Sequence, residues 1–400
     1  MKEEAFWLMP GGEMQEPAAS YLKSKGYKII ISDGSNDCFL KDFADLFFQV
    51  DIFDIKGNLE LAEKIKKDFD LAGVFTVAAD CHEVIAILNQ DNEKFFWDVE
   101  TSLICKDKLK TRKFLKGLVK QPLYHQVSEF EEIANFKDFY KSSPLVLKVP
   151  DNSGSRGFRK FNNIDDIQSS DFDYSLSFTK SKFLLIESLI EPTKEMLSEI
   201  SVESLWHHGD FKITNIVDRV FSQDTSLFPK NLKDYKNLKE GVEIGHINPS
   251  IMSGDSFIKV KDLFKAIGKK LELNKRILST LKLDIMFDQD LEPIVLEMTP
   301  RCSGGWDSSY SNIVIGGNLQ KSLVDYLLRT KTAENTFKGI NKGINKNMTC
   351  FVLGHSESDS EDSIGRVFYS AYSDKKNIPD LIEECINKRN QGEKIVRIPI

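Results

Sequence analysis

The stretch LKLDIMFDQDLEPIVLEMTPR, residues 281–301, is the most informative part of the chain. Two segments with alternating apolar residues flank a turn rich in Asp and Pro, so the pattern predicts a β-hairpin. If the turn is centred on residues 290–291, Asp284 lies directly opposite Glu297. Because side chains alternate between the two faces of a strand, both carboxylates then share one face with Thr299.

Two carboxylates that face each other destabilise a strand pair unless a cation lies between them. Hard oxygen ligands that leave room for water and phosphate oxygens suit Mg²⁺. The hairpin therefore predicts a magnesium site, and a solvent-facing pair of acidic strands is the alternative. The run TPRCSGG, residues 299–305, follows the acids directly and makes that alternative less attractive.

A second hairpin is predicted in PLVLKVPDNSGSRGFRKF, residues 144–161. An apolar strand that carries Lys148 leads into a loop of small residues, and a second strand returns after Gly157. Closely spaced Gly and Ser allow backbone N–H groups to converge on phosphate oxygens, and Lys148 and Arg156 add positive charge. The loop lacks the G-x-x-x-x-G-K-[ST] pattern of a P-loop. An ordinary flexible turn is the alternative.

Two further segments carry weaker signals. FLLIESLIE, residues 183–191, is an apolar strand that turns polar at Glu187. The end of such a strand can present backbone groups to a purine edge, or it can simply be a strand followed by a loop. In VEIGHINPS, residues 242–250, Glu243 and His246 stand in what is expected to be flexible backbone and could hold a substrate ammonium group. A purely structural histidine is the alternative.

Composition and charge restrict the class of protein. The 400 residues are too many for one hydrophobic core, so two to four subdomains are expected. A net charge of −7 argues against a general nucleic-acid surface. The basic stretch 106–113 is predicted to be a helix with a solvated face. No segment approaches the roughly 18 consecutive apolar residues of a membrane span, and the early apolar run is too short for a secretory signal. The widely spaced cysteines are expected to be thiols in a reducing cytoplasm.

The first 100 residues or so alternate strand and helix signals, which predicts a small doubly wound parallel sheet. Its first turn carries Pro-Gly-Gly in place of G-x-G-x-x-G, so a dinucleotide site is poorly supported. Near the other end, the polar segment 330–347 is predicted to be a linker. A small α+β cap is expected after it, with strands at 350–353, 366–371 and 394–398 and a helix at 378–389.

With these residues in hand, the chain resembles the ATP-grasp superfamily, and within it the carboxylate–amine ligases of the L-amino-acid ligase type. The resemblance covers about residues 5–330. It implies an α/β plus α+β architecture in four parts. These are an N-terminal α/β domain (1–105), a small lid subdomain (106–186), a large subdomain with the metal site (187–330) and a C-terminal α+β cap (331–400).

The resemblance also implies roles for residues at matching positions. The positions that match ATP-binding residues are Lys108, Lys148, Ser153, Gly154, Ser155, Arg156, Gly157, Glu187, Ser188, Leu189, Ile190 and Glu199. Among these, residues 187–190 match the adenine hinge and Glu199 matches the ribose-contacting acid. The metal site comprises Asp284, Glu297 and Thr299, and the substrate pocket comprises Glu243, His246, Arg301, Ser303, Gly304 and Gly305. Arg301, Lys148 and Arg156 would act on the transferring phosphoryl group and the acyl phosphate.

Two departures from the superfamily pattern affect this assignment. Thr299 stands where the superfamily usually has Asn, which weakens the expected metal geometry without abolishing it. The segment 222–241 is longer and more basic than expected, which affects the shape of the pocket.

The implied activity is ATP- and Mg²⁺-dependent (or Mn²⁺-dependent) joining of a small carboxylate to an amine through an acyl phosphate, with ADP as product. A biotin-carboxylase-like or purine-pathway enzyme of the same superfamily is one alternative, and a non-catalytic ATP-binding regulatory protein is another. No nucleic-acid or membrane partner is expected. Dimers are common in the superfamily, so the choice between monomer and homodimer stays open.

Overall fold

The computed structural model describes residues 2–90, 96–141, 143–152, 156–194, 197, 199–221, 243–304, 306–328, 349–353 and 378–391. Several sequence predictions fall outside these ranges: Ser153, Gly154, Ser155, Gly305, the segment 222–241, the linker 330–347 and the strands at 366–371 and 394–398. Within the described ranges, no helix combines the length and apolar character that a membrane crossing requires. All six cysteines are free thiols.

The N-terminal domain is a parallel four-stranded sheet, which confirms the predicted doubly wound unit. Its strands are β1 (Glu3–Leu8), β2 (Lys28–Asp33), β3 (Leu46–Gln49) and β4 (Phe69–Phe75), in the order β3-β2-β1-β4. Its helices are α1 (Glu16–Ser24), α2 (Ile55–Asp68) and α3 (His82–Leu88). Continuous apolar runs such as Ala5 to Leu8 are fully buried, as expected for strands covered on both faces.

Two loops at the carboxyl edge of this sheet are held together by one side chain. Gln15 donates to the carbonyl of Met9 at 2.9 Å and to Thr76 Oγ1 at 2.9 Å, and it accepts from the Val77 N–H at 2.8 Å. Ligands of open α/β sheets bind at this edge. The loop that follows β4 is therefore fixed where it meets the rest of the protein.

Two helices connect this domain to a small antiparallel sheet. They are α4 (Val99–Lys106) and α5 (Lys108–Leu115). The predicted basic helix begins at Lys108 instead of residue 106, because the Asp107 carboxylate caps a new helix, accepting from the N–H groups of Leu109 and Lys110. The sheet contains β5 (Tyr124–Val127), β6 (Leu145–Lys148), β7 (Arg159–Phe161) and β8 (Leu184–Ser188), in the order β5-β8-β6-β7, with α6 (Ser169–Leu176) alongside. The pairing of β6 with β7 confirms the second predicted hairpin.

A six-stranded antiparallel sheet forms the largest part of the described chain. It contains β9 (Glu199–His207), β10 (Asp210–Phe221), β11 (Glu243–Asn248), β12 (Leu278–Phe287), β13 (Pro293–Thr299) and β14 (Cys350–Leu353), in the order β13-β12-β9-β10-β11-β14. One face is apolar, and Val202 and Leu283 pack there with Phe264 of α7 (Gly254–Lys270). The opposite face carries charged side chains and faces the N-terminal domain.

Helices α8 (Tyr310–Val314) and α9 (Leu319–Leu327) tie the large sheet to the N-terminal domain. Gln320 accepts from the Ala18 N–H at 3.0 Å, and Tyr21 donates to Asp325 at 2.9 Å. At the far edge, β14 pairs with β11, so this strand extends the large sheet and does not stand in a separate cap. Helix α10 (Ile378–Asn390), where a helix was predicted, packs on it through Leu381 and Ile382. The division into four parts otherwise stays a prediction.

Candidate active site

Charged residues of five neighbouring strands share the polar face of the large sheet. Asp284 of β12 lies opposite Glu297 of β13, which confirms the predicted register. On its other side Asp284 lies opposite Ser201 of β9. One pair further along the same face, Lys282 lies between Glu203 of β9 and Thr299 of β13. Directly opposite residues point the same way, so this register alone assembles the site.

The strands β10 and β11 extend the same face. Arg219 of β10 lies opposite Glu199 of β9 on one side and opposite His246 of β11 on the other. Glu243 joins the group from the start of β11. Sequence reasoning identified the acids Glu199, Glu243, Asp284 and Glu297 but missed Arg219 and Lys282, which supply positive charge beside them.

Asp284 is almost fully buried between two cations. Lys282 Nζ lies 2.6 Å from Asp284 Oδ2, and Arg219 Nε lies 3.5 Å from Oδ1. Burial would raise the pKa of Asp284, but the charges of Lys282 and Arg219 outweigh burial and hold the pKa below its usual value. Asp284 is therefore a carboxylate at neutral pH. Its Oδ1 atom accepts no hydrogen bond from any described residue.

Glu297 is half-buried and faces the lid. Lys108 Nζ lies 3.6 Å from Glu297 Oε1 and donates to the carbonyl of Asn152 at 2.6 Å. Lys108 thus connects the hairpin of β12 and β13 to the start of the predicted phosphate loop. The resemblance placed Lys108 at the nucleotide, and this position is compatible with that role, which stays a prediction.

One observation indicates that a divalent cation can bind between Asp284 and Glu297. The buried Asp284 Oδ1 lacks a hydrogen bond among the described residues and lies on the same face as the Glu297 carboxylate. Buried carboxylate oxygens without donors are normally neutralised by a cation. The described residues contain no cluster of three His, Cys, Asp or Glu side chains with metal-site geometry. The two acids would therefore need further oxygen ligands from a nucleotide and water.

Arg219 holds three of the predicted site acids. Its guanidinium lies 2.6 Å from Glu243 Oε2, 3.6 Å from Glu199 Oε1 and 3.5 Å from Asp284 Oδ1. Burial acts to lower the pKa of Arg219, but the surrounding carboxylates, Glu243 first, raise it well above its usual value. Burial and the negative charge of Asp284 raise the pKa of Glu199. Arg219 therefore joins the predicted ribose, metal and substrate acids into one unit.

This arrangement changes the interpretation of Glu243 and His246. The Glu243 carboxylate, predicted to hold a substrate ammonium, is engaged by Arg219. The expected flexible backbone is instead strand β11, and Gly245 is needed there because a Cβ would lie 2.0 Å from the carbonyl oxygen of Val352. His246 is buried, with Nε2 3.0 Å from Ser311 Oγ.

The predicted strand ends at Ser188, directly after Glu187, but the Glu187 carboxylate is buried in an ion cluster that the sequence did not indicate. Arg112 Nε lies 2.7 Å from Glu187 Oε1, and Lys148 Nζ lies 2.9 Å from Oε2. Burial would raise the pKa of Glu187, but Arg112 and Lys148 outweigh burial and lower the pKa to about 2. The sequence interpretation of Arg112 as part of a solvated basic face is wrong, since this side chain is fully buried.

The residues predicted to form the adenine hinge, 187–190, are described in full, whereas the predicted phosphate loop is described only in part. The backbone N–H groups of Ser188 and Leu189 donate to the carbonyls of Leu123 and Pro144, each at 2.9 Å, and Ile190 follows the end of β8. Arg156 is exposed and lies 3.4 Å from Asn152 Oδ1. Gly157 has φ of +71°, where a side chain would be strained, and a Cβ would lie 2.7 Å from Val149. The backbone at the base of this loop therefore requires glycine.

Arg301 lies at the junction with the N-terminal domain. It forms an ion pair with Asp80, in the loop after β4, and donates to the carbonyl of Cys302 at 2.6 Å. Its buried Nε atom has no hydrogen-bond acceptor among the described residues. Gly304 allows close approach, since a Cβ there would lie 2.9 Å from the carbonyl oxygen of Ala78. The loop after β13 and the loop after β4 therefore meet around this guanidinium.

Ser303 links that loop to the large sheet, because its N–H donates to Glu203 Oε1. Glu203 Oε2 also accepts from Asn215 Nδ2 at 3.1 Å. Sequence reasoning missed both Glu203 and the nearby Asp307. The sequence shows the loop of small residues that follows the hairpin of β12 and β13. It does not show that this loop contacts an acid on β9.

The chain was compared with known proteins. No protein-family model matches its sequence, and no curated protein matches it either. Among solved structures, an ADP complex of N5-carboxyaminoimidazole ribonucleotide synthetase superposes with a TM-score of 0.70 at 13% identity, over 98% of each chain. Phosphoribosylglycinamide synthetase from Anaerococcus prevotii superposes with a TM-score of 0.64 at 15% identity, over 100% of each chain. L-amino acid ligase from Bacillus licheniformis gives a TM-score of 0.63 at 15% identity, over 89% of this chain and 80% of the other. These likenesses concern the fold.

Proposed function

Since the chain has the ATP-grasp fold, we propose that it is an ATP-dependent ligase that activates a carboxylate as an acyl phosphate and joins it to an amine, forming ADP. The observation that carries this proposal is the register that sets Asp284 opposite Glu297 on the polar face, with Lys108 reaching from the lid to the second acid. Neighbours in structure include an amino acid ligase and an ADP-bound synthetase, which supports the same chemistry.

In this proposal the lid supplies positive charge to the triphosphate. Lys108, Lys148 and Arg156 would bind phosphate oxygens, and Glu187 and Arg112 would hold Lys148 in place. Asp284 and Glu297 would hold Mg²⁺ or Mn²⁺, which offsets charge on the transferring phosphoryl group when bound. Fixed charges of this kind stabilise a transition state because they need no reorganisation during the reaction.

The carboxylate substrate would bind at Arg301, whose guanidinium is already oriented by Asp80. A carboxylate oxygen attacks the γ-phosphorus, ADP leaves, and an acyl phosphate forms. The nitrogen of an amine then attacks the carbonyl carbon, and the carbon–oxygen bond to phosphate breaks. The loop before Gly157 would cover the intermediate and exclude water, which would otherwise hydrolyse it.

A phosphate-release screen tests this function directly. Purified protein with Mg-ATP is offered single and paired amino and hydroxy acids, and bicarbonate separately. Phosphate release that requires both a carboxylate and an amine supports the proposal, provided that a product with the mass of their condensation product also forms. Bicarbonate-dependent release would identify a carboxylase instead, and ATP binding without release under any condition would identify a binding protein.

A further inference from the structure

Acids outnumber permanent cations on the polar face of the large sheet. Glu203, Asp284 and Asp307 are buried, Glu199 and Glu243 are partly buried, and the permanent cations among them are Arg219 and Lys282. Buried charge without a partner is costly, so the excess must be met by protons or by bound cations. Arg219 engages Glu199, Glu243 and Asp284, and the predicted metal ion would neutralise Asp284 further. Glu203 and Asp307 are left over.

Asp307 is a buried carboxylate that is only partly satisfied. It is 2% exposed, and its Oδ1 atom has no hydrogen-bond donor among the described residues. Burial would raise the pKa of Asp307, but the positive charges of His246 and Arg219 outweigh burial and lower it. Asp307 is therefore charged at neutral pH, and one of its buried oxygens has no hydrogen-bond donor among the described residues.

Glu203 is the second acid of this pair. It is also 2% exposed, and it receives hydrogen bonds from Asn215 and from the Ser303 N–H. Burial and the negative charge of Asp307 raise the pKa of Glu203, while the charge of Lys282 acts in the opposite direction. The side-chain amide of Asn215 also donates to the backbone carbonyl of Asp307 at 2.7 Å, so this amide is hydrogen-bonded to both acidic residues.

We propose that Glu203 and Asp307 form the subsite that binds the amine substrate as its protonated ammonium. This inference rests on the proposed function and assigns to this pair the role that the sequence suggested for Glu243. The location fits, since Glu203 is one residue pair from Asp284 on the same face. It is also joined through Ser303 to the loop that carries Arg301. The amine would thus bind beside the carbonyl carbon of the acyl phosphate.

The subsite also supplies a base for a proton that the ammonium must lose. An ammonium nitrogen has no lone pair, so it must lose a proton before it attacks. Glu203 takes that proton: the N–H bond breaks and an O–H bond forms on the carboxylate. The freed lone pair then forms the C–N bond while the bond between carbonyl carbon and phosphate oxygen breaks, and the departing phosphate takes the second N–H proton, which leaves a neutral amide.

Asp307→Asn tests the subsite with little change of shape. The amide oxygen can still accept from Ser303, while the amide NH₂ replaces an acceptor with a donor that repels an ammonium. Hydroxylamine, largely unprotonated near neutral pH, serves as a second nucleophile that traps acyl phosphate as a hydroxamate. We expect the ratio of amine-dependent to hydroxylamine-dependent turnover to fall about 10- to 100-fold, the range for one charged hydrogen bond. Glu203→Gln should lower the same ratio.

Asp218→Asn is a matched control. Asp218 is equally buried on β10, but it faces the apolar side, and its carboxylate is bonded to Ser250 and to the Ile251 N–H at 2.7 Å. This variant should leave the ratio unchanged. An unchanged ratio in Asp307→Asn, or equal losses with both nucleophiles, would overturn the subsite.

A binding measurement separates failure of the subsite from failure of the proposed function. Thermal shift with each of the twenty L-amino acids, in the presence of Mg-ADP, needs no turnover. If the wild type forms neither product, the ligase proposal fails. The subsite then stands only if an amino acid stabilises the wild type and Asp218→Asn but not Asp307→Asn. Equal stabilisation of all three, or of none, would overturn it.

Discussion

Arg112→Met should destabilise the protein strongly, although the residue lies in a stretch of sequence that looks like a solvated basic helix. The fully buried guanidinium donates to Glu187 twice, at 2.7 and 3.1 Å. It also donates to the carbonyls of Val295 at 2.8 Å and Leu296 at 3.2 Å. These hydrogen bonds join helix α5 to strand β8 of the small sheet and to strand β13 of the large sheet. Removing them leaves Glu187 buried with Lys148 as its remaining cation.

Breaking a buried ion pair by removing one partner costs about 3–5 kcal/mol, because the other charge is left uncompensated. Lys148 remains at 2.9 Å, so the lower end of that range is expected. The pKa of Glu187 gives an independent figure. A carboxyl with a pKa of about 2 in the folded protein and about 4.3 in the unfolded chain contributes about 3 kcal/mol. That contribution is complete above the unfolded pKa and is lost as the pH falls through the folded pKa.

Urea unfolding followed by circular dichroism, at pH 7 and at several values down to about pH 3, measures both effects. Lys113→Met, an exposed change on the same helix, should stay within about 0.5 kcal/mol of the wild type. The double variant Arg112→Met with Glu187→Gln should lose less than the sum of the single changes, since the buried carboxylate is then removed and only the partly exposed Lys148 loses its partner. A loss below about 1 kcal/mol for Arg112→Met, or strict additivity, would refute the reasoning.

Four further substitutions probe the site and the strand packing beside it. Glu297→Gln should abolish most substrate-dependent ADP release and weaken Mn²⁺ binding in the presence of ADP, followed by electron paramagnetic resonance; near-normal values would contradict the metal assignment. Arg301→Ala should raise the KM of the carboxylate and lower kcat, and Asp80→Asn should do so less, because it only loosens the guanidinium. Identical kinetics in the wild type, Arg301→Ala and Asp80→Asn would reject the role of Arg301 in binding the carboxylate. Gly245→Ala should lower stability by about 1–3 kcal/mol in urea unfolding, because its Cβ would collide with the carbonyl of Val352; an unchanged midpoint would show that β14 adjusts freely.

The register of the hairpin was predictable because it depends on local properties of the chain. Strand alternation and the turn together set which residues pair, and Asp284 opposite Glu297 followed directly. Lys282 was within reach of the same reasoning, since it is two residues before Asp284 and must share its face. The burial of Arg112 was also predictable from the sequence. With Leu109 and Leu115 it repeats every third residue, a spacing that places all three on the buried side of α5.

Arg219 and Glu203 could not be found in this way. The strand order β13-β12-β9-β10-β11-β14 places β12 beside β9, although β10 and β11 lie between them in sequence. Which residues of β9 and β12 face each other depends on long-range register, and no local pattern encodes it. The sequence shows an acid on each strand, but the compensating cations become visible only when the strands are paired.

The paired strands give the site two sides of opposite charge. Lys108, Lys148 and Arg156 lie on the lid side, and the carboxylates lie on the side of the large sheet. A triphosphate between them would be attracted by the lid and repelled by Asp284 and Glu297. A divalent cation removes that repulsion, and phosphate oxygens complete a coordination shell that two acids cannot fill. Nucleotide and metal therefore fit this site as one unit. Glu203 and Asp307 lie outside that unit, and they are the carboxylates that we propose to bind the ammonium of the amine substrate.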